Sequence, residues 1–148
     1  MRHRHKVSNI KSYQRLIAVQ AIYELSINKK STNINLKDIF KHIIENSDYK
    51  KKLDDSNLLL AEEIYKGVNS NLSKVDLILA KSLRNEKNAQ TFDKLLLSIF
   101  RSAIYELTFK REISKKVIIS EYLLITNRFF GNKEAALLNG VLDNLQEI

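Results

Sequence analysis

A helical pattern runs from about Asn9 to Ile27, and its segment LIAVQAIYEL, Leu16 to Leu25, is apolar on almost every side of a helical wheel. A helix without a polar face, in a protein that is not buried in lipid, is one surrounded by other helices. Gln20 is the polar exception. The next pattern is narrower. Leu36, Ile39, Phe40, Ile43 and Ile44 recur at helical spacing, with Asn35 placed as N-cap and Asp38 in the first turn, where a carboxylate suits the helix dipole. After the polar stretch NSDYKKKLDDSN, Asp55 or Ser56 can cap a long third element that holds Leu58, Leu59, Ala61, Ile64, Tyr65, Val68, Leu72, Val75, Leu79 and Leu83. The polar patch NSNLSK predicts a kink or a division of that element near Asn71 to Lys74.

RNEKNAQT, ending at Thr91, is the most loop-like interior segment. Three more helical patterns follow, at about Phe92 to Phe109, Lys116 to Phe130 and Lys133 to Leu145. Ser114 begins the turn between the first two, and Gly131 with Asn132 makes a helix stop. Gly140 falls inside the last helix, where glycine costs about 1 kcal/mol relative to alanine, so the expectation is close approach of another backbone. All of this predicts an all-α chain.

Composition narrows the chemistry. With no cysteine among its 148 residues, the chain has neither disulfides nor a thiol nucleophile, which fits a reducing compartment. Proline is absent and glycine occurs three times, so neither a G-x-G-x-x-G turn nor a P-loop can be written. No apolar run reaches the roughly 18 residues of a membrane span, and no apolar segment follows the basic start as in a signal peptide; a soluble, cytoplasmic protein is expected. His3 stands where a terminal copper or nickel site can arise by accident, and His42 has no ligand partner at helical spacing, so no metal or cofactor is expected.

A net charge of +8 points to a polyanionic partner. It is concentrated at the start, where Arg2, Arg4, Lys6, Lys11 and Arg15 precede the first acidic residue, Glu24. Such arms bind phosphates by releasing counterions. A second cluster, Lys110, Arg111, Lys115 and Lys116, follows a second copy of AIYEL; basic residues there also suit the negative end of a helix dipole. NRFF sets Arg128 beside Phe129 and Phe130 at a helix end, the pairing of cation and aromatic on which single-stranded nucleic acid stacks.

Four blocks in order, RLIAVQAIYEL, FDKLLLSIFRSAIYEL, KVIISEYLLITNRFF and LLNGVLDNL, resemble the NusB family of bacterial transcription antitermination factors. The last is similar to the family's F-V-N-G-V-L-D signature, and Arg101, Ala103, Tyr105, Glu106 and Leu107 to its L-R-x-A-x-Y-E-L pattern. Leu137 stands in place of the signature phenylalanine, Ser120 in place of an asparagine, Ser114 where proline is common, and Ala61 and Glu62 in place of an aromatic-arginine pair.

The resemblance implies about seven helices in two packed sub-bundles, about 9–83 and 91–148, with 1–8 as a flexible basic arm ahead of a single domain at 9–148. It implies a non-enzymatic adaptor that binds boxA-type single-stranded leader RNA with the ribosomal protein NusE, in the RNA polymerase antitermination complex, and so promotes rRNA transcription. Carried over by position, the RNA-binding set is Arg2, Arg4, Lys6, Arg15, Gln20, Tyr23, Phe129 or Phe130, and Asn139, to which the NRFF reading adds Arg128. Two rival readings are a protein-interaction module acting as a homodimer or partner-helix binder, and a domain associated with RNA cytosine methyltransferases. Of the two AIYEL copies, the first is expected on the RNA side and the second in scaffold or partner surface.

Overall fold

The structure is a computed structural model that describes residues 2–28, 36–46, 58–83 and 88–146, with side chains described from residue 10 onwards. Seven α-helices occur among the described residues: α1 Arg2–Ile27, α2 Leu36–Glu45, α3 Leu59–Ser70, α4 Leu72–Ser82, α5 Lys94–Phe109, α6 Lys115–Phe129 and α7 Asn132–Asp143. A short 3-10 turn at Ala89–Thr91 precedes α5. The expected caps Asn35, Asp55 and Ser56 lie outside the described residues. Contacts group the chain into two units, Met1–Lys66 and Gly67–Ile148, taken here in turn.

In the first unit the all-round apolar stretch of α1 is core: Leu16, Ile17, Ala18, Val19, Ala21 and Ile22 are all buried. The α2 stripe buries Ile39, Phe40 and Ile43, and Phe40 meets Tyr65 edge-on at 6.4 Å between ring centres. Gln14 solves the start of α3. Its Oε1 accepts from the Leu60 and Ala61 amides at 2.8 and 3.2 Å, satisfying two first-turn donors that no helical carbonyl can reach. Gln14→Leu keeps the bulk and removes the acceptor, so a loss of about 1–3 kcal/mol is expected, read as a lower urea midpoint at unchanged slope.

The second unit shows why the third sequence pattern divides. Asn71 turns its side-chain amide onto the Gly67 carbonyl at 2.8 Å, its own amide reaches the same carbonyl and that of Val68, and α4 starts at the next residue. This competition for backbone carbonyls by a short amide side chain ends a helix. Helix α5 begins at Asp93, whose carboxylate accepts from the Leu95 and Leu96 amides at 2.8 and 3.4 Å. The Arg101 guanidinium grips Asp76 of α4 with two hydrogen bonds, 2.8 and 2.9 Å long, a bidentate fork.

Four small hydroxyls on α4, α5 and α6 are buried with their hydrogen bonds made, whereas the buried Thr108 hydroxyl of α5 has no partner among the described residues. Ser82, Ser98, Ser102 and Thr126 are buried, and each donates to the carbonyl one turn earlier. Glu106, fully buried, accepts from the Tyr122 hydroxyl at 2.6 Å across the α5–α6 contact. Gly131 is not in the left-handed region that stops helices; with φ −97° it precedes α7, and Glu134 reaches back to accept from its amide at 3.2 Å.

Gly140 corrects an expectation. A Cβ placed on it would meet nothing within 4 Å, so no backbone approaches. It opens instead onto a cavity of about 320 Å³ lined by Ser82, Leu83, Ala136, Leu137, Val141 and Asn144. The close approach belongs to Gly67, where a Cβ would overlap the Cζ, Cε1 and Oη edge of Tyr105.

Candidate nucleic-acid interface

The arm residues Arg2, Arg4 and Lys6 lie on the opening turns of the α1 backbone; their side chains are outside those described. Further along α1, Arg15 is 3% exposed and engaged within the protein, so as folded it supports the helix and does not present an open guanidinium. Gln20 and Tyr23, three apart and therefore on one face of the helix, are half-buried and reach the surface of the first unit. The Tyr23 carbonyl accepts from the Ser26 hydroxyl at 2.6 Å.

The other sequence-selected residues lie in the second unit. Arg128 and Phe129 end α6, with Phe129 40% exposed and Arg128 open to solvent. Phe130 follows in extended conformation, φ −134° and ψ 174°, with its amide donating to the Thr126 carbonyl at 2.8 Å. Because consecutive residues leave a helix end in different directions, Phe130 is half-buried while Phe129 shows its ring. Asn139 is exposed on α7, which packs against α6.

The arrangement offers chemistry of one kind. An exposed ring can take a base face, an exposed arginine one residue away a phosphate, and an exposed carboxamide can donate to and accept from a base edge. Among the described residues no group of three or more histidines and carboxylates is placed to hold a metal ion.

A second cationic corner lies where α5 meets α6. Arg111, Lys115 and Lys116 are exposed and Lys110 is half-buried. A cavity of about 300 Å³ there is lined by Leu107, Arg111, Ile113, Lys115 and Leu145. The charges were legible in the sequence; the cavity was not, because Leu145 joins it from thirty or more positions away.

With this geometry in place, comparison decides the family. The NusB family profile matches residues 12–147. The chain belongs to the NusB family. A relative in Rickettsia bellii, transcription antitermination protein NusB, is 32% identical over 143 residues, covering 93% of this chain and 90% of its own length. Among solved structures, NusB of T. maritima superposes with a TM-score of 0.73 at 23% identity, covering 90% of this chain and 87% of that one. A crystal structure of the antitermination factors NusB and NusE in complex with dsRNA matches with the same TM-score at 16% identity, over 91% and 94% of the two chains. These structures share the all-helical NusB fold with this chain.

Proposed function

We propose that this NusB-family protein is a non-enzymatic, cytoplasmic adaptor of transcription antitermination that holds boxA-type single-stranded leader RNA together with NusE, within the RNA polymerase antitermination complex, and so promotes rRNA transcription. The observation that carries the reading is the exposed Phe129 beside Arg128 at the end of α6, in a chain of this family. That a relative of the same fold was crystallised with NusE and dsRNA supports it. No helix among the described residues is long and apolar enough to cross a membrane, consistent with action at a nucleic acid in solution.

In this reading Arg2, Arg4 and Lys6 hold phosphates, Gln20 and Tyr23 continue that surface along α1, and Arg15 holds α1 in place from beneath. Phe129, with Phe130 behind it, stacks a base, and Asn139 reads an edge. Phosphate contacts supply affinity and base contacts supply choice. Titrating a boxA-type RNA and a scrambled strand, with and without NusE, tests this; the boxA strand is expected to bind tighter, and equal weak binding of both under all conditions sinks it. Arg2→Ala/Arg4→Ala is expected to lower the slope of log K against log salt by about 1.4, since each phosphate on a single strand contributes about 0.7. An unchanged slope would remove the arm from the site.

A further inference from the structure

The cations at the α5–α6 corner have no task in the RNA surface described above. Lys115 and Lys116 occupy the first turn of α6, a turn without an acidic residue, where positive charge opposes the helix dipole. In that place the charge of Lys116 works against the dipole of α6, while that of Lys115 also caps the C-terminal end of α7. Lys115 is held in position, its Nζ donating to the Asp143 carbonyl at 2.8 Å, and an ammonium keeps two further donors.

The cavity beside them has the right division of chemistry. It is lined by the half-buried Leu107, Ile113 and Leu145 and by the exposed Arg111 and Lys115, with Lys110 and Lys116 adjacent in sequence. Apolar side chains next to exposed cations suit a nucleotide unit, whose base covers apolar surface while its phosphodiester takes the charge. Among the described residues, Glu112 beside Arg111 and Asp143 at the end of α7 are exposed carboxylates of this region.

Helix α6 joins this corner to the aromatic one. Its 15 residues rise about 22 Å at about 1.5 Å each. Along its outer face Lys116, Ser120, Leu124, Asn127 and Arg128 are exposed, cations stand at both ends, and the carboxylate nearest that face, Glu121, is half-buried at its edge. A strand advancing about 3.4 Å per nucleotide covers that distance in about seven nucleotides.

We infer that the α5–α6 corner is a second phosphodiester site, which takes RNA extending beyond the segment bound at Phe129. The inference rests on the RNA-binding reading proposed above. The test compares a short boxA-type RNA with the same RNA lengthened by ten nucleotides at either end, using the wild type and Arg111→Ala/Lys116→Ala. Lys115 is left in place because of its tie to Asp143, and circular dichroism melts confirm that the variant folds. Extension is expected to steepen the wild-type salt slope by about 1.4, or about sevenfold in affinity over a fourfold change in salt, and the variant is expected to lose that increment while binding the short RNA unchanged.

Wild-type binding to neither RNA overturns both readings. Binding of the short RNA with no added slope on extension, or an added slope that the variant retains, overturns the second site alone. So does loss of polyglutamate binding in the variant with its RNA slopes intact, which would make the corner a surface for an acidic protein.

Discussion

Gly67→Ala is expected to destabilise the protein by about 1–3 kcal/mol, the usual range for forcing a methyl into a filled core. The added Cβ falls on Cζ and Cε1 of the Tyr105 ring. That ring has little freedom to yield: it is buried and stacked on Phe109 at 5.2 Å with 26° between planes, and Phe109 in turn lies under the Lys74 ammonium at 5.1 Å. The backbone of α3 must move instead. In a chain of this size the loss lowers Tm by about 2–4 °C per kcal/mol. Tyr105→Ala destabilises on its own, by about 3–5 kcal/mol if it behaves as other large aromatic truncations do. In that background the sign reverses, because alanine now fits and favours the helix by up to about 1 kcal/mol over glycine. Urea titrations of the four proteins give the coupling directly. Equal losses from Gly67→Ala with and without the Tyr105 ring would show that the ring is not what excludes the methyl.

That contact also separates the two copies of AIYEL. In the second, Ala103, Ile104, Tyr105 and Glu106 are all buried, with Tyr105 over Gly67 and Glu106 bonded to Tyr122. In the first, Ala21 and Ile22 are buried while Tyr23, Glu24 and Leu25 stay half-buried. The same five letters meet two environments, because burial depends on which helices surround the segment and not on the segment itself. Four of the five residues of the second copy are thus core, and Leu107, half-buried, reaches the cavity at the α5–α6 corner.

What local pattern determines was legible: six helical segments, the interruption of the third near Asn71 and the change of direction after Phe130 all follow from spacing and polar interruptions within a few residues, whereas the start of α1 at Arg2, ahead of the Asn9 where its pattern begins, does not. What depends on distant partners was not. Nothing near Leu60 shows that its amide is satisfied by Gln14, and nothing near Asp76 shows that Arg101 grips it. Gly140 was misread for the same reason, since a glycine within a helix does not reveal whether its open side faces a backbone or a cavity. At the candidate site, residue type and helix-end position narrowed the aromatic to Phe129 or Phe130, but which of the two is exposed, like the burial of Arg15, could be learned only from the packed helices.

Phe129→Ala is expected to weaken binding of boxA-type RNA by about 1–3 kcal/mol, roughly five- to 150-fold, which is the loss seen when one base loses its aromatic platform. The ring is 40% exposed and carries no charge, so the salt slope should stay that of the wild type, whereas Arg128→Ala should lower the slope by about 0.7 with a smaller loss of affinity. Stacking needs a flat face; general apolar contact does not. Phe129→Tyr should therefore bind as the wild type does, and Phe129→Leu, which restores apolar area without a π-face, should remain nearly as weak as alanine. Rescue by leucine would instead assign Phe129 to an apolar protein contact. Because Phe130 is half-buried with its amide tied to Thr126, Phe130→Ala should lower stability more than Phe129→Ala and disturb RNA binding only through the α6 end it anchors. Separate melts and anisotropy titrations of the two variants thus distinguish the ring that meets the base from the ring that holds it in place.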